Sequence, residues 1–411
     1  MFKKLLIIGS LIVCFNYLCF AQSTSSPYSV FAEGQIEIFG TGTNHALGGT
    51  GIAFKSKLYL NNLNPASYSG IDSLSFILEA GLFGRYTQYK TNDEQNSHFN
   101  ANLKYLTMGC RFTRWWATSA GIIPYSSVGY KISTTDIIEG DLTTYYKTFE
   151  GSGGINQFYW AHSITLFKNL SAGVNLSYYL GSILKTETGT TTDGYLTYVL
   201  TRSDKVHTFN LDYGAQYTLF VKDFRYTLGV IFSEFKNLNS DFSYTINYNE
   251  YTLSLDAEES DYYLPRRAGI GLAIEKGMRF KAGFDYERRF WPENNSFNNP
   301  LLETRDGEQF SIGMEYTPYR GRGDQNWKKL FFRMGACYTK SYLIIDKIPI
   351  NSASFMLGTG IPIRKELTMI NLSLEAGRTG TLQKGLIEEN FLLLHVNVTL
   401  HDKWFIKYNI D

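Results

Sequence analysis

Apolar residues occupy every second position in many segments of this chain. The alternation is clear near the end of the chain, where the apolar positions are Leu394, Val396, Val398, Leu400 and the polar positions are His395, Asn397, Thr399, His401. A period of two predicts a β-strand with one apolar and one polar face. The apolar face forms the core of a soluble sandwich but faces lipid in a transmembrane barrel. The alternation alone therefore leaves both architectures open.

The same pattern predicts about fourteen strands. Their approximate ranges are 73–89, 99–113, 115–131, 157–167, 170–185, 206–220, 223–237, 264–275, 278–291, 308–318, 329–342, 352–361, 366–377 and 390–406. An even strand number is typical of bacterial outer-membrane barrels. We therefore consider a closed antiparallel barrel alongside the sandwich.

The lengths of the predicted connections favour the barrel. Short connections follow the second, fourth, sixth, eighth and twelfth strands, and long ones fall between them, notably 133–156, 186–205, 238–263 and 292–307. Tight turns at one end and long loops at the other are typical of outer-membrane barrels, whereas a sandwich has no reason to sort its loops in this way. The connection 318–328, which contains the tripeptide Arg322-Gly323-Asp324, is longer than this pattern predicts. We expect it to be a periplasmic turn.

The first residues have the features of an export signal. Lys3 and Lys4 precede an apolar run from Leu5 to Phe20, and Ala21 follows it. This order predicts a cleaved signal peptide. The alternative, a membrane anchor, needs about 20 apolar residues, and the run is shorter. We predict three parts: a signal peptide (1–21), an N-terminal hatch or plug (22–72) and an outer-membrane β-barrel (73–411). Both termini are expected in the periplasm of a Gram-negative bacterium.

Composition agrees with an all-β protein. The 411 residues include 30 Tyr, 29 Phe, 6 Trp and 37 Gly, and only 19% of them are charged. Aromatic residues favour strands, and the helix-forming excess of Ala, Leu, Glu and Lys is missing. Lys and Arg number 39 against 38 Asp and Glu, so no basic surplus supports nucleic-acid binding.

The segment before the first strand carries two motifs. One is the glycine-rich stretch with Gly48, Gly49 and Gly51, and the other is Asn64-Pro65-Ala66. Two further features are Leu264-Pro265 before an alternating glycine stretch and the ending 401–405. Together with the two motifs, they make the chain similar to the FadL-like outer-membrane transport family. This resemblance implies a fourteen-stranded barrel holding an N-terminal hatch. It also implies passive uptake of a hydrophobic, fatty-acid-like molecule that leaves sideways at a kink in the third strand. The hatch could act as a plug or as a ligand gate, and we leave both open.

The third predicted strand carries candidates for that lateral opening. Gly121, Pro124 and Ser126 lie close together in it. A proline removes one ladder hydrogen bond, so Pro124 indicates either an opening in the wall or a bulge that only bends it.

The predicted lumen is more polar than a lipid conduit requires. Charged and polar residues at lumen-facing positions are Glu79, Arg85, Arg111, Asp212, Gln216, Arg225, Arg279, Lys281, Asp285, Glu287, Arg289, Glu315, Arg333, Glu375 and Asn397. A fatty-acid tail gains about 0.8 kcal/mol per buried methylene, but only against apolar walls. The candidate apolar ligand-binding residues are Ile77, Phe83, Ile231, Met356 and Leu393.

Two functions follow from these observations. We favour passive transport, with outer-membrane lipid and a hydrophobic small molecule as partners. The alternative is an accessory subunit of a protein-export or outer-membrane protein insertion machinery. The long loops 133–156 and 238–263 would then bind outer-membrane or surface proteins through the tyrosines Tyr145, Tyr146, Tyr244, Tyr248 and Tyr251.

We find no chemistry of catalysis or of a cofactor in the sequence. The six histidines lack metal-ligand spacing, and His395 and His401 lie too far apart along one strand to share an ion, so we expect both to line the lumen. No nucleotide-binding loop is recognised. We predict no enzyme activity, no cofactor and no metal. Cys110 and Cys337 fall on opposite faces of the wall, so both are expected to be free thiols.

Overall fold

A computed structural model describes most of the mature chain. It describes residues 26–37, 40–137, 144–191, 197–248, 251–258, 262–277, 279–292, 301–318, 329–364 and 368–403. The predicted signal peptide, the tripeptide at 322–324 and residues 404–405 lie outside the described residues. No helix within the described ranges is long and apolar enough to cross a membrane.

Strands dominate the described chain. They are β1 (Gln35–Ile36), β2 (Ser75–Lys90), β3 (Gln95–Arg111), β4 (Trp116–Ile137), β5 (Thr144–Thr165), β6 (Leu170–Thr191), β7 (Thr197–Val221), β8 (Phe224–Ser233), β9 (Lys236–Tyr248), β10 (Tyr251–Glu258), β11 (Tyr262–Leu264), β12 (Arg266–Lys276), β13 (Phe280–Phe290), β14 (Leu302–Thr304), β15 (Gly307–Tyr316), β16 (Phe331–Ile345), β17 (Ile348–Arg364), β18 (Thr368–Gly380) and β19 (Glu388–Lys403). The helices are one α-helical turn, Thr43–Ala46, and 3₁₀ turns at Pro27–Val30, Pro65–Gly70 and Gln383–Gly385.

The strands close into one antiparallel barrel. β19 pairs with β2 along its whole length, from Glu388 opposite Lys90 to Lys403 opposite Ser75. Some of the nineteen strands are extensions of others: β9 extends β8. The strands β10 and β11 precede β12, and β14 precedes β15, within the same wall positions. The wall therefore has fourteen strands, which confirms the predicted fold class.

Alternation sorts the side chains between lipid and lumen. In β8 the outward Tyr226, Leu228 and Val230 are exposed, while the inward Thr227 and Ile231 are buried. Exposed apolar side chains at this density are what a lipid-facing wall requires. By the same parity, Cys337 is buried in the lumen beside Ser311, and Cys110 is on the outer side of β3.

The prediction that 133–156, 186–205 and 238–263 are loops is wrong. Most of 133–156 and 238–263 forms strand, because β4 runs to Ile137, β5 begins at Thr144, and β9 pairs with β10 as a hairpin. β7 has 25 residues, whereas β8, β12 and β13 have 10 or 11. A membrane-spanning strand needs about 9–11 residues. β4 to β7, β9 and β10 therefore extend as a sheet well beyond the membrane on one side of the barrel.

The ends of the described chain lie at different levels of the barrel. Lys403 pairs with Ser75 at the end that has the short turns. Ser26 donates its backbone N–H to Gly129 O, well along β4 from that end. The periplasmic position of both termini stays a prediction.

Candidate functional site

The second and third wall strands separate part-way along their length. β3 and β4 pair only from Arg111 opposite Ala117 to Leu106 opposite Ile122. Beyond that point β4 pairs with β1, where Ile36 lies opposite Ser126. The N-terminal segment (residues 26–72) therefore occupies the strand edge that β3 leaves.

Pro124 lies at this separation. The pairing of β4 with β5 shifts between Pro124 and Ser126, which marks a β-bulge. The backbone N–H of Glu37 donates to Tyr125 O at 2.8 Å, so the bulge is also tied to the N-terminal segment. Gly121 lies in the part of β4 that still pairs with β3. Of the three residues predicted for a lateral opening, two are at the gap and one is beside it.

Charged side chains fasten the N-terminal segment over the gap. Lys104 Nζ lies 3.1 Å from Glu37 Oε2, and these side chains are only 9% and 21% exposed. Ser26 Oγ donates to Glu389 Oε1 at 2.6 Å, and Arg85 Nη2 lies 3.6 Å from Glu389 Oε2. The gap is therefore closed by buried polar contacts.

Glu33 is a further buried carboxyl on this segment. It is 0% exposed, and its Oε1 accepts a hydrogen bond from the Tyr263 N–H at 2.7 Å. Burial raises the pKa of Glu33 to about 7. This residue therefore links the segment to β11.

The predicted hatch motifs contact the inner wall. The backbone N–H groups of Gly51 and Ile52 donate to Asp285 Oδ2 at 2.6 and 2.8 Å. Asn64 Nδ2 donates to Ile52 O at 2.8 Å, and the Asn64 side chain accepts from Ala66 N at 3.0 Å. Pro65 opens the 3₁₀ turn that packs against β5, β6 and β7.

Gly48 and Gly49 lie in a part of the segment that approaches the wall closely. Both have positive φ, +70° and +78°, which favours glycine. A Cβ added to Gly335 of β16 would lie 2.2 Å from Gly48 N, so the two backbones are in direct contact there. The glycine-rich stretch thus places the N-terminal segment flat against the wall.

One contact of Asp285 gives a testable prediction. Asp285→Ala leaves two buried N–H groups without an acceptor, which we expect to cost about 3 kcal/mol in docking of the segment. The amides of Gly51 and Ile52 should then exchange hydrogen about 100-fold faster in mass spectrometry. Asp285→Asn keeps one carbonyl acceptor and serves as the control, with a much smaller increase expected. Equal, slow exchange in both variants would contradict this role.

Two neighbouring cavities lie beside the segment, and Ile36 and Glu37 line both. The first has a volume of about 160 Å³, and its lining mixes apolar with charged residues: Tyr28, Phe83, Arg85, Trp291, Arg289, Tyr342, Glu375, Phe391, Leu393. The second has a volume of about 100 Å³ and lies at the bulge, beside Pro124 and Ile231. Ligand pockets usually measure about 300–1,000 Å³.

The five predicted ligand-binding residues do not form one patch. Phe83 and Leu393 line the first cavity, and Ile231 lines the second. Ile77 is fully buried against the N-terminal segment in a cluster with Leu60, and Met356 is also fully buried. The alternation of side chains along each strand identified the lumen-facing residues. It could not determine which of them the N-terminal segment covers.

The charged lumen is largely internally paired. Arg333 Nε lies 2.6 Å from Glu315 Oε2, and Arg289 Nη2 lies 2.8 Å from Glu287 Oε1. Lys281 Nζ donates to Tyr59 OH at 2.6 Å, so this lysine binds the segment. Arg279, which we predicted to face the lumen, is exposed at the start of β13 because the strand begins at Phe280.

The comparison with known families decides the assignment. A family model described as BamG matches residues 1–411. The chain belongs to the BamG family. No curated protein matches this BamG-family barrel.

Solved structures confirm the FadL-like fold of this BamG-family barrel. The Pseudomonas putida toluene transporter TodX is 15% identical with a TM-score of 0.61, over 90% of this chain and 100% of that one. The Ralstonia pickettii toluene transporter TbuX is 15% identical with a TM-score of 0.59, over the same shares. A Pseudomonas aeruginosa FadL homologue is 11% identical with a TM-score of 0.59, again over 90% and 100%. The likeness is one of fold, and the outer membrane of a Gram-negative bacterium stays the predicted location of the barrel.

Sequence reasoning missed one side-chain cluster of this BamG-family barrel. His395 was predicted to line the lumen, but its contact with His45 of the N-terminal segment was not anticipated. Burial, together with nearby His395 and Lys104, lowers the pKa of His45 well below its usual value. The imidazole is therefore neutral at physiological pH.

Proposed function

We propose that this protein is a non-transporting accessory barrel of an outer-membrane protein complex, with protein export or outer-membrane protein insertion as the activity of the whole. The observation that carries this proposal is the β9–β10 hairpin, which presents an exposed apolar surface outside the membrane. The match of the whole chain to the BamG family model favours the same role over transport.

The hairpin surface, which we call the apolar ladder, consists of Tyr248, Tyr251, Leu253 and Leu255. These side chains are 43%, 78%, 54% and 53% exposed. Directly opposite pairs such as Tyr248 and Tyr251 share one side of a sheet. Tyr198 of β7 lies opposite Tyr248. The even-numbered residues of β7, such as Val206 and Thr208, are buried on the inner side of the wall. The apolar ladder lies on this same inner side.

Lipid cannot cover this ladder. The outward residues of β7 change from Phe209 and Leu211 to Thr201 and Ser203 along the strand, which marks where the apolar band ends. The ladder lies beyond that change and on the inner side of the sheet. An exposed apolar surface in water is typical of a protein-binding site. Within the described ranges the residue pairings of β10 are with β9 alone, so its other edge also offers backbone groups to a partner.

The closed lumen supports the same proposal. The N-terminal segment fills it through many buried contacts, and the two cavities described above, of about 160 and 100 Å³, are too small for a fatty-acid-like chain. We infer that the segment acts as a plug. The extended sheet is proposed to face the cell exterior, opposite the short turns.

A second candidate is passive uptake of a small hydrophobic molecule. The first cavity favours it, because a dry apolar cavity of about 150 Å³ can hold a benzene-sized ligand and Phe83, Phe391 and Leu393 line this one. TodX and TbuX are themselves described as toluene transporters. Such a ligand would leave at the bulge near Pro124.

Pro124→Ala separates the two candidates. It restores a backbone N–H donor in β4. This donor can extend the hydrogen bonding of β4 to its neighbour and narrow the gap. We expect uptake of a radiolabelled monoaromatic hydrocarbon by intact cells to be the same as with the wild-type protein, and the complex to stay assembled. A fall in uptake with the barrel still folded would favour transport. Co-purification of partner proteins tests the accessory role directly.

A further inference from the structure

Three side chains from distant parts of the chain meet beside the first cavity. His45 comes from the helical turn Thr43–Ala46 of the N-terminal segment, Glu375 from β18 and His395 from β19. They are buried, with exposures of 2%, 1% and 7%. The cluster therefore joins the segment to two neighbouring wall strands.

The potential ligand atoms are close together. His45 Nε2 lies 3.2 Å from Glu375 Oε2, and His395 Nε2 lies 4.0 Å from the same oxygen. One ligand atom from each residue lies within 4.8 Å of the other two. The ligands of a tetrahedral zinc ion lie about 3.3–3.6 Å apart, since the bonds measure about 2.0–2.2 Å. Small side-chain rotations would bring all three atoms to that spacing.

The chemistry of the cluster also fits a transition-metal ion. Two imidazole nitrogens with one carboxylate oxygen are donors typical of zinc and iron sites. The imidazole rings of His45 and His395 lie side by side, with their centroids 3.6 Å apart and their planes inclined by 39°. Lys104, whose positive charge acts on Glu375, is paired with Glu37 at 3.1 Å. A dication would neutralise the buried Glu375 carboxylate more completely than this shared lysine does.

We propose that His45, Glu375 and His395 bind one divalent transition-metal ion, and that this ion fastens the N-terminal segment to β18 and β19. Three protein ligands leave a further position for water on the side of the cavity that His45 and Glu375 line. The proposal does not rest on the accessory or the transport function. It concerns how the segment is held in the lumen.

Zinc titration of the full-length protein tests the site. The detergent-solubilised barrel is stripped with a chelator and titrated with Zn²⁺ by calorimetry, and we expect one ion per chain. His45→Ala, Glu375→Gln and His395→Ala should each weaken binding at least about 100-fold, because loss of even a hydrogen-bonded partner of a ligand costs about 10–100-fold. His401→Ala is the matched control, because His401 lies on the same face of β19 as His395, six residues away.

A second measurement separates metal binding from misfolding. Heat-dependent mobility of the barrel on gels should be the same in all variants. Zn²⁺ should slow hydrogen exchange in residues 43–53 of the wild-type protein and of His401→Ala, but not of Glu375→Gln. Absence of stoichiometric binding to the folded wild-type barrel, or binding that survives all three substitutions, would overturn the proposal.

Discussion

Gly335→Ala is expected to prevent the N-terminal segment from docking in the barrel. The added Cβ would lie 2.2 Å from Gly48 N and 2.3 Å from Leu47 C, both of them backbone atoms that cannot rotate away. Overpacking costs about 1–3 kcal/mol and more where backbone must move. We expect residues 40–72 to become sensitive to protease and to exchange hydrogen quickly, in a barrel that has lost stability.

Gly307→Ala is the control for this substitution. A Cβ at Gly307 would meet its nearest atom at 3.5 Å, an ordinary contact, so no displacement is expected. Limited proteolysis with mass spectrometry compares the two variants. Equal protection of residues 40–72 in both would contradict the close contact between the glycine-rich stretch and β16.

A second large effect is expected at the apolar ladder. Replacing both Leu253 and Leu255 by Asp puts two charges on the proposed contact surface. A central contact residue contributes about 2 kcal/mol or more to binding, so the double change should reduce recovery of partner proteins at least about 30-fold. The side chains are about half exposed, so the barrel itself should fold normally.

Ser254→Asp is the matched control for the ladder. Ser254 lies between the two leucines but on the opposite side of the hairpin, opposite Thr245. Partners should therefore remain bound to this variant, as quantified by affinity purification and mass spectrometry. Equal loss in both variants would indicate a general effect of charge, and no loss in either would remove the ladder as the contact surface.

The sequence predicted the barrel correctly because its signal is local. Period-two alternation identified the wall strands, and their pairing confirms the even count. The extensions of β5 and β6 were missed because their outward residues are polar, such as Thr186 and Thr188, so hydrophobic alternation stops where the strand continues. The strand tendency of threonine and tyrosine was the remaining signal.

The candidate site was predicted less completely. Asn64 and the glycine-rich stretch were recognised as a unit, yet which wall residues they cover depends on how the segment folds in the lumen. Ile77 and Met356 were therefore proposed as ligand contacts although both are fully buried. His45 and His395 are 350 positions apart in the sequence, so no spacing could have indicated their contact.

Gentle detergent extraction of the tagged protein from its native outer membrane, followed by mass spectrometry of the intact assembly, tests the central claim most directly. The accessory role predicts stoichiometric co-purifying proteins and no hydrophobic small molecule in the lumen. Partners should be absent when Leu253 and Leu255 are replaced and present when Ser254 is replaced. A solitary barrel that carries a bound hydrophobic molecule would contradict the accessory role and support transport.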